Sequence, residues 1–463
     1  MARVVVVGGG FAGMAAACRL AGDGYAVTVL EAAPRLGGRA ASFERRGETI
    51  DRGQHVLLRA CGAAQGFLER IGASDAVSFQ ESLAIPLLFD GERSVLRSWP
   101  LPGIAHLLPG LLGYRPLNGR ERLAAARAGL ALWASRSLRD ETFEQWLVRH
   151  GQTERAIRRL WDPIVVAALN AHAGAVSLSA ARRVFREALF VPHGADMGLF
   201  AVPLGDVLQA ARRYLEARHG SVELGSRVER VLIAGCRATG VQLADSRTME
   251  ADAVIVAVPP DSLAELTSGV VELGPVVGAA QRLEWASIVN AHLTFDRRVL
   301  EDTFAVGIDS PIQAIFRRGE PLTTPSTLAA AAESAGAGRQ TLVLSQSAAA
   351  EWIGRSDDEI VAELAAELRD LVPAARDAEL VDSLVLRHRR ATFVPVPGSE
   401  ALRPKSRTPL AGLYLAGDWT ATGWPSTIES AVLSGIYAAA ALESDAATCS
   451  NLESGIEKGK SEA

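Results

Sequence analysis

Val4-Val5-Val6-Val7-Gly8-Gly9-Gly10-Phe11-Ala12-Gly13 opens the chain with a β-branched run that passes directly into glycine. Such a run favours extended backbone, so the reading is a strand over Arg3–Val7 and a tight turn. The small-residue run Ala12–Leu20 then reads as a helix, and Ala26–Leu30 as a second strand. In Gly8-x-Gly10-x-x-Gly13 the first glycine permits the turn, the second lets backbone N–H groups approach a pyrophosphate, and the third lets helix and sheet pack closely. Glu31 ends the second strand, where a carboxylate can accept hydrogen bonds from ribose hydroxyls. The context of strand, turn, helix and strand predicts an α/β chain whose first unit is a Rossmann-like βαβ dinucleotide site.

At 463 residues the chain exceeds what one hydrophobic core usually serves, so two units sharing it are expected. Hydrophobic residues make up 48% and charged residues 22%, a balance that excludes wholesale disorder. A net charge of -5 without a basic block gives a nucleic-acid backbone nothing to bind. Cys18, Cys61, Cys236 and Cys449 form neither a Cys-x-x-Cys pair nor a disulfide framework, which suits a reducing compartment. The histidines form no ligand cluster, so no metal is expected. The opening strand starts at once, without a leader pattern, and no apolar window is long enough to span a bilayer. The expected location is cytoplasmic, at most peripheral on the inner face of the cell membrane.

Beyond Glu31, Pro34-Arg35-Leu36-Gly37-Gly38-Arg39 sets two arginines around a glycine pair, a composition suited to a diphosphate. This stretch resembles the N-terminal signature of the flavin-dependent amine oxidase and carotenoid desaturase superfamily. Ser226-Arg227-Val228 with Ala253–Val258 resembles the middle FAD segment of that superfamily. Leu413–Gly417, Asp418 and Pro425-Ser426-Thr427-Ile428-Glu429-Ser430-Ala431 resemble the segment that closes over the flavin. The resemblance implies non-covalent FAD held by Gly8, Gly10, Gly13, Glu31, Gly38, Arg39, Val228, Gly417, Asp418 and Ile428. From the residues themselves, the run Leu413–Ala416 leads into a helix with apolar positions 428, 431, 432, 435 and 439 on one face and Pro425 in its first turn. Its positive N-terminal end suits the negative charge of a reduced flavin.

The expected FAD-binding domain is discontinuous, over residues 1–90, 205–265 and 390–443. Residues 91–204 and 266–389 are expected to form an interleaved α+β substrate domain with an antiparallel sheet and a helical cap. Within it Arg120–Ser135 and Asp357–Leu371 read as amphipathic helices, and Ala286–Phe295 and Leu380–His388 as strands. The polar tail 444–463 is expected to be disordered.

Lysine occurs only at Lys405, Lys458 and Lys460, so the mid-chain lysine of the superfamily's amine oxidases has no counterpart. Asp51-Arg52-Gly53-Gln54-His55-Val56-Leu57-Leu58, Leu169-Asn170, Arg390-Ala391-Thr392-Phe393 and Gly417-Asp418-Trp419-Thr420 resemble the hydroxysqualene dehydroxylases of squalene and hopanoid biosynthesis. Two departures are Arg52, where asparagine is expected, and the bulky Trp424 before Pro425. The resemblance implies that hydride from N5 of reduced FAD replaces the hydroxyl of hydroxysqualene, which leaves as water, giving squalene. His55 and Asp51 are the first candidates for the general acid, with His172, Asp162 and His193 behind them. Trp161, Phe393 and Trp424 are candidates to face a developing allylic cation.

Other readings stay open on the sequence: a carotenoid or polyprenoid desaturase running hydride the other way, an amine oxidase, or a prenyl-lipid escort without redox chemistry. The electrons have two open sources, a separate reductase and NAD(P)H itself. Leu101–Tyr114 is too short to span a membrane and too apolar for an ordinary loop. It is expected to meet a membrane surface, to wall the lipid tunnel, or to do both at the tunnel mouth.

Overall fold

The four valines of the opening strand alternate between two cores. In the computed structural model, which describes residues 2–135, 139–318 and 338–461, Val4 and Val6 pack beneath the first helix, and Val5 and Val7 pack into a separate cluster on the opposite face. A strand covered on both faces needs no polar residue, and this is why the run is uninterrupted. Among the described residues the strands Ser221–Leu224, Ala26–Glu31, Arg3–Val7, Ala253–Val256 and Leu413–Leu415 lie side by side in that order, all parallel. The sheet therefore draws the beginning, middle and end of the chain to one edge.

On the first face, helix Phe11–Gly22 lies between helix Leu204–Glu216 and the long closing helix Ile428–Ser461. The closing helix approaches so nearly that a methyl group on Gly435 would stand 2.2 Å from the carbonyl oxygen of Ala12. The antiparallel strands Val228–Ala234, Arg237–Leu243 and Thr248–Glu250 cover the other face.

A second, mixed sheet runs Leu380–Phe393, Trp285–Phe295, Gln340–Gln346, Ala314–Arg317, Phe304–Gly307, Ala84–Phe89 and Glu92–Arg97. One face is apolar, with Val289, Ala291 and Leu293 against Ile360, Leu364 and Leu368 of helix Asp357–Leu371. That helix starts at a capping box between Ser356 and Glu359. The opposite face carries Ile288, Asn290, Ser345 and His388 towards an internal cavity. Helices between 103 and 190 form a cap over it, including Gly119–Ala134 with an Asn118–Glu121 capping box.

Several expectations shift. The boundary drawn at 90 falls inside a hairpin, because Ala84–Phe89 pairs with Glu92–Arg97 and both belong to the second sheet. The boundary at 390 falls inside the strand Leu380–Phe393. The second sheet is not wholly antiparallel, since Phe304–Gly307 and Ala84–Phe89 run parallel. The closing helix begins at Ile428, so Pro425 lies outside its first turn, and it continues to Ser461 through most of the segment expected to be disordered. Its continuation is anchored at Asp445, which accepts a 2.9 Å hydrogen bond from the Tyr414 hydroxyl and pairs with Arg407.

Candidate active site

The three motif glycines divide their duties between fold and ligand. Gly8 has φ +108°, and a methyl group there would lie 2.5 Å from the Ala257 carbonyl oxygen. One on Gly13 would lie 2.0 Å from the Gly8 oxygen, so Gly13 serves helix–strand contact and is absent from the cavity wall. Gly10 is different: its φ is an ordinary -82°, and a methyl group would meet nothing nearer than Gly37 O at 3.8 Å. The fold does not require glycine at position 10, and the open cradle beside it is where a diphosphate fits. Gly10 also caps helix Phe11–Gly22 without a side-chain acceptor and without an acidic residue in the first turn. The helix's leading N–H groups are thus left for an anion.

Glu31, Gly38, Arg39, Val228, Gly417, Asp418 and Ile428 line the same cavity. The Glu31 carboxylate is fixed by the N–H groups of Gly9 at 2.7 Å and Ala33 at 2.8 Å. Arg39 pairs with Asp418 and donates to the Ala391 carbonyl at 2.7 Å, while Ser426 also donates to Asp418. The arginine expected at a diphosphate thus ties the first cofactor segment to the last. Buried Arg403 braces that last segment through the carbonyls of Asp418 at 3.2 Å and Thr420 at 2.5 Å. Thr427 caps the closing helix by accepting from Ser430 N at 3.2 Å, so the helix start opens onto the cavity at Thr427 and Ile428.

From this cradle the cavity extends to about 2180 Å³, roughly twice the upper end of the ~300–1,000 Å³ common for ligand pockets. Its far wall is apolar, with Leu83, Ile85, Leu107, Leu111, Trp161 and Phe190. Leu108 and Leu130 line the cavity and are also 44% and 52% exposed, which places its mouth between the 101–114 segment and helix Gly119–Ala134.

Between cradle and apolar wall sits a polar cluster. His55 Nδ1 lies 2.7 Å from the Gly53 carbonyl and His388 Nε2 lies 2.6 Å from the Arg52 carbonyl. A carbonyl only accepts, so both nitrogens carry hydrogen. Burial pushes His55 down to about 4 and also lowers His388, so both rings are neutral near pH 7. Asn290 completes the cluster. His172 and Asp162 also line the cavity, joined Nδ1 to Oδ2 at 3.2 Å, and the hydrogen bond that His172 donates to the Asp162 carboxylate raises the His172 pKa.

Three sequence candidates lie off the cavity. Asp51 accepts from Ser42 Oγ and from Leu204 N at 3.0 Å, so it holds the start of helix Leu204–Glu216 and does not face a substrate. Burial raises its pKa. His193 is exposed and pairs with the buried Asp196 at 2.9 Å, and Phe393 is buried against Arg403. Trp161 and Trp424 do line the cavity. Sequence reading missed Arg403, His388 and Asn290. The signal for Asn290 was weak, because the strand Trp285–Phe295 also carries Ser287, His292 and Thr294, and only the cavity lining singles out Asn290 among them.

The sequence profile of the family described as flavin containing amine oxidoreductase matches residues 11–442. The chain belongs to this family. It is an FAD-dependent oxidoreductase, and the open cradle at Gly10 fits the cofactor. A hydroxysqualene dehydroxylase of Rhodopseudomonas palustris is 30% identical, over 94% of this chain and 97% of the relative. The hydroxysqualene dehydroxylase of Sinorhizobium fredii is 28% identical over the same shares. A chloroplastic and chromoplastic 15-cis-phytoene desaturase of Glycine max is 26% identical, over 96% of this chain and 80% of its own length. Among solved structures, an oxidoreductase from Methanosarcina mazei shares the fold with a TM-score of 0.72 at 19% identity, covering 94% of this chain and 99% of its own.

Proposed function

We propose that this flavoenzyme reductively removes the hydroxyl of hydroxysqualene to give squalene. The observation that carries the reading is one continuous cavity that begins at a dinucleotide cradle, passes a buried polar cluster and ends in an apolar tunnel. End-to-end similarity to hydroxysqualene dehydroxylases supports the same substrate class. FAD, held without a covalent bond and reduced by an outside donor, supplies hydride when bound. The substrate's C–O bond breaks, its carbon gains hydrogen with two electrons, and the oxygen takes one proton and leaves as water.

The chain's residues arrange that exchange. The apolar wall holds the hydrocarbon and excludes water. His55, neutral and with Nδ1 committed to Gly53, offers Nε2 as an acceptor that orients the hydroxyl. His172, with Nδ1 on Asp162, holds the transferable proton at Nε2. Substrate comes from a lipid surface: Trp99, Leu101, Leu108, Leu112, Leu130 and Trp133 are exposed around the mouth, a set suited to shallow insertion. No helix among the described residues is long and apolar enough to cross a membrane.

The test is an anaerobic reaction of purified, chemically reduced protein with hydroxysqualene. Squalene formed in proportion to flavin reoxidised is the expected result. Reoxidation without squalene sinks the proposal. The similarity to phytoene desaturases favours a second reading, in which oxidised flavin takes hydride from a polyprenoid and a new double bond appears in the product.

A further inference from the structure

Asn290 occupies the central part of strand Trp285–Phe295, paired on one side with Ser345 and on the other with Leu386. A position hydrogen-bonded into the sheet on both flanks is rigid. The residue is 1% exposed and lines the cavity, yet its amide nitrogen and its amide oxygen both lack a hydrogen-bond partner. Because both atoms are unpartnered, exchanging their assignment changes nothing. A buried amide with no partner in the protein is costly, and one that also lines a cavity is placed for a ligand or a water to complete the bonding.

The surroundings say what kind of ligand. A methyl group on Gly53 would lie 3.5 Å from His55 Cε1, 3.7 Å from Asn290 Nδ2 and 4.0 Å from His388 Nε2, so three polar side chains converge on one point of backbone. Each histidine has already spent its N–H on a carbonyl, of Gly53 and of Arg52. Both rings are left with only an acceptor nitrogen. Asn290 alone in this cluster brings an unspent donor, and it brings an acceptor with it. A hydroxyl has the complementary pair, one donor and lone pairs, whereas a plain hydrocarbon has neither.

We propose that Asn290 binds the hydroxyl of a polyprenoid allylic alcohol and so selects the alcohol over the corresponding hydrocarbon. The assignment rests on the reading of the substrate given above and adds the residue that recognises its functional group. The amide N–H bonds the oxygen, and this bond strengthens as the C–O bond breaks and negative charge gathers on oxygen. The amide oxygen and His55 Nε2 are the acceptors available to the hydroxyl hydrogen. Product squalene, lacking the oxygen, leaves the amide unpartnered and is released.

The experiment compares the FAD-loaded wild type with Asn290→Leu, close in size but apolar, and with Asn290→Ser, smaller and still polar. Hydroxysqualene and squalene, each in detergent micelles, are titrated against the oxidised enzymes, and binding is read from the perturbed flavin absorbance. The wild type is expected to prefer the alcohol by about tenfold or more, as a hydrogen bond in a dry site provides. In Asn290→Leu the two affinities should converge, with flavin content and the unliganded flavin spectrum unchanged. Asn290→Ser should keep part of the preference, and it decides the matter if the leucine variant does not fold. A wild type without preference, or a preference that survives in both variants, overturns the proposal. Flavin lost or spectrally shifted in the folded variants also overturns it, by assigning Asn290 to the cofactor. If the preference depends on Asn290 but reduced enzyme makes no squalene, the binding role stands and the dehydroxylation reading falls.

Discussion

Glu429 holds a helix that lies far from it in sequence: its carboxylate oxygens accept the N–H of Ala63 at 3.0 Å and of Ala64 at 2.7 Å. Helix Gly62–Arg70 has no side-chain cap of its own, and Glu429 itself sits in the first turn of the closing helix. One buried carboxylate therefore faces two helix starts. Burial nevertheless outweighs those N–H bonds and raises its pKa above the ordinary 4.5. A raised folded pKa means that folding favours the protonated carboxyl, so the stability due to this shift is complete below the unfolded value and is lost as pH rises through the folded one. Wild type should lose stability across that window, and Glu429→Gln, which does not titrate, should lack this part of the slope. Urea midpoints of both proteins at several pH values from 4.5 upward check it. Glu429→Ala, which leaves both N–H groups without an acceptor, should cost about 1–2 kcal/mol near neutrality.

Gly10 and Gly13 separate binding from folding. Gly10→Val places its side chain in the open cradle at an ordinary φ, so the protein should fold with a near-wild-type circular dichroism spectrum and purify without flavin. Gly13→Val drives a side chain against the Gly8 carbonyl oxygen, 2.0 Å from the added carbon. That variant should lose about 1–3 kcal/mol or more of stability. Full flavin content in Gly10→Val would remove the cradle from the account of cofactor binding.

The opening βαβ unit was legible because its information is local: four valines, a glycine turn and Glu31 are contiguous, and periodicity alone assigns them. Helix Asp357–Leu371 was legible for the same reason, since a capping box and an apolar stripe state its limits. The limits of the units were not legible, because Ala84–Phe89 could have joined either sheet and only its pairing with Phe304–Gly307 decides. Asp51 misled for a related reason. Its neighbours Gly53 and His55 reach the cavity, but the strand Glu48–Asp51 ends at Asp51 and the chain bends at Arg52 and Gly53, so Asp51 is left facing Leu204, more than a hundred residues away. Asn290 and His388 come together only through strand pairing, which no single segment encodes.

Two of the cavity histidines, His55 and His172, should leave different marks on the pH profile. His55 is neutral above about 4, so it contributes no limb near neutrality. The Asp162 hydrogen bond raises the His172 pKa above 6.5. If Nε2 of His172 holds the proton for the leaving oxygen, the dehydroxylation rate falls as pH rises through that raised value. His172→Asn should lower the rate by about a hundredfold, within the range for general acids, and should abolish the alkaline limb. His55→Ala should lower the rate while the limb stays where it is. Single-turnover flavin reoxidation across pH measures both, and an unchanged limb in His172→Asn moves the proton elsewhere.

Leu108 and Leu112 sit on the same short helix, Leu108–Leu112, and divide its work between tunnel and surface. Leu108 lines the cavity and is 44% exposed, whereas Leu112 is 57% exposed and does not line it. Burying one leucine in a lipid interface contributes about 1.5–3 kcal/mol, so Leu112→Asp should reduce partitioning to phospholipid vesicles by tenfold or more. The same variant should retain its flavin and its rate on substrate supplied in detergent micelles, because the tunnel wall is untouched. Leu108→Asp should weaken vesicle binding and also slow the micellar reaction, since it puts a charge at the mouth. Vesicle co-sedimentation paired with the micellar assay distinguishes the cases. Undiminished sedimentation of both variants would show that the lipid surface is met by another part of the molecule.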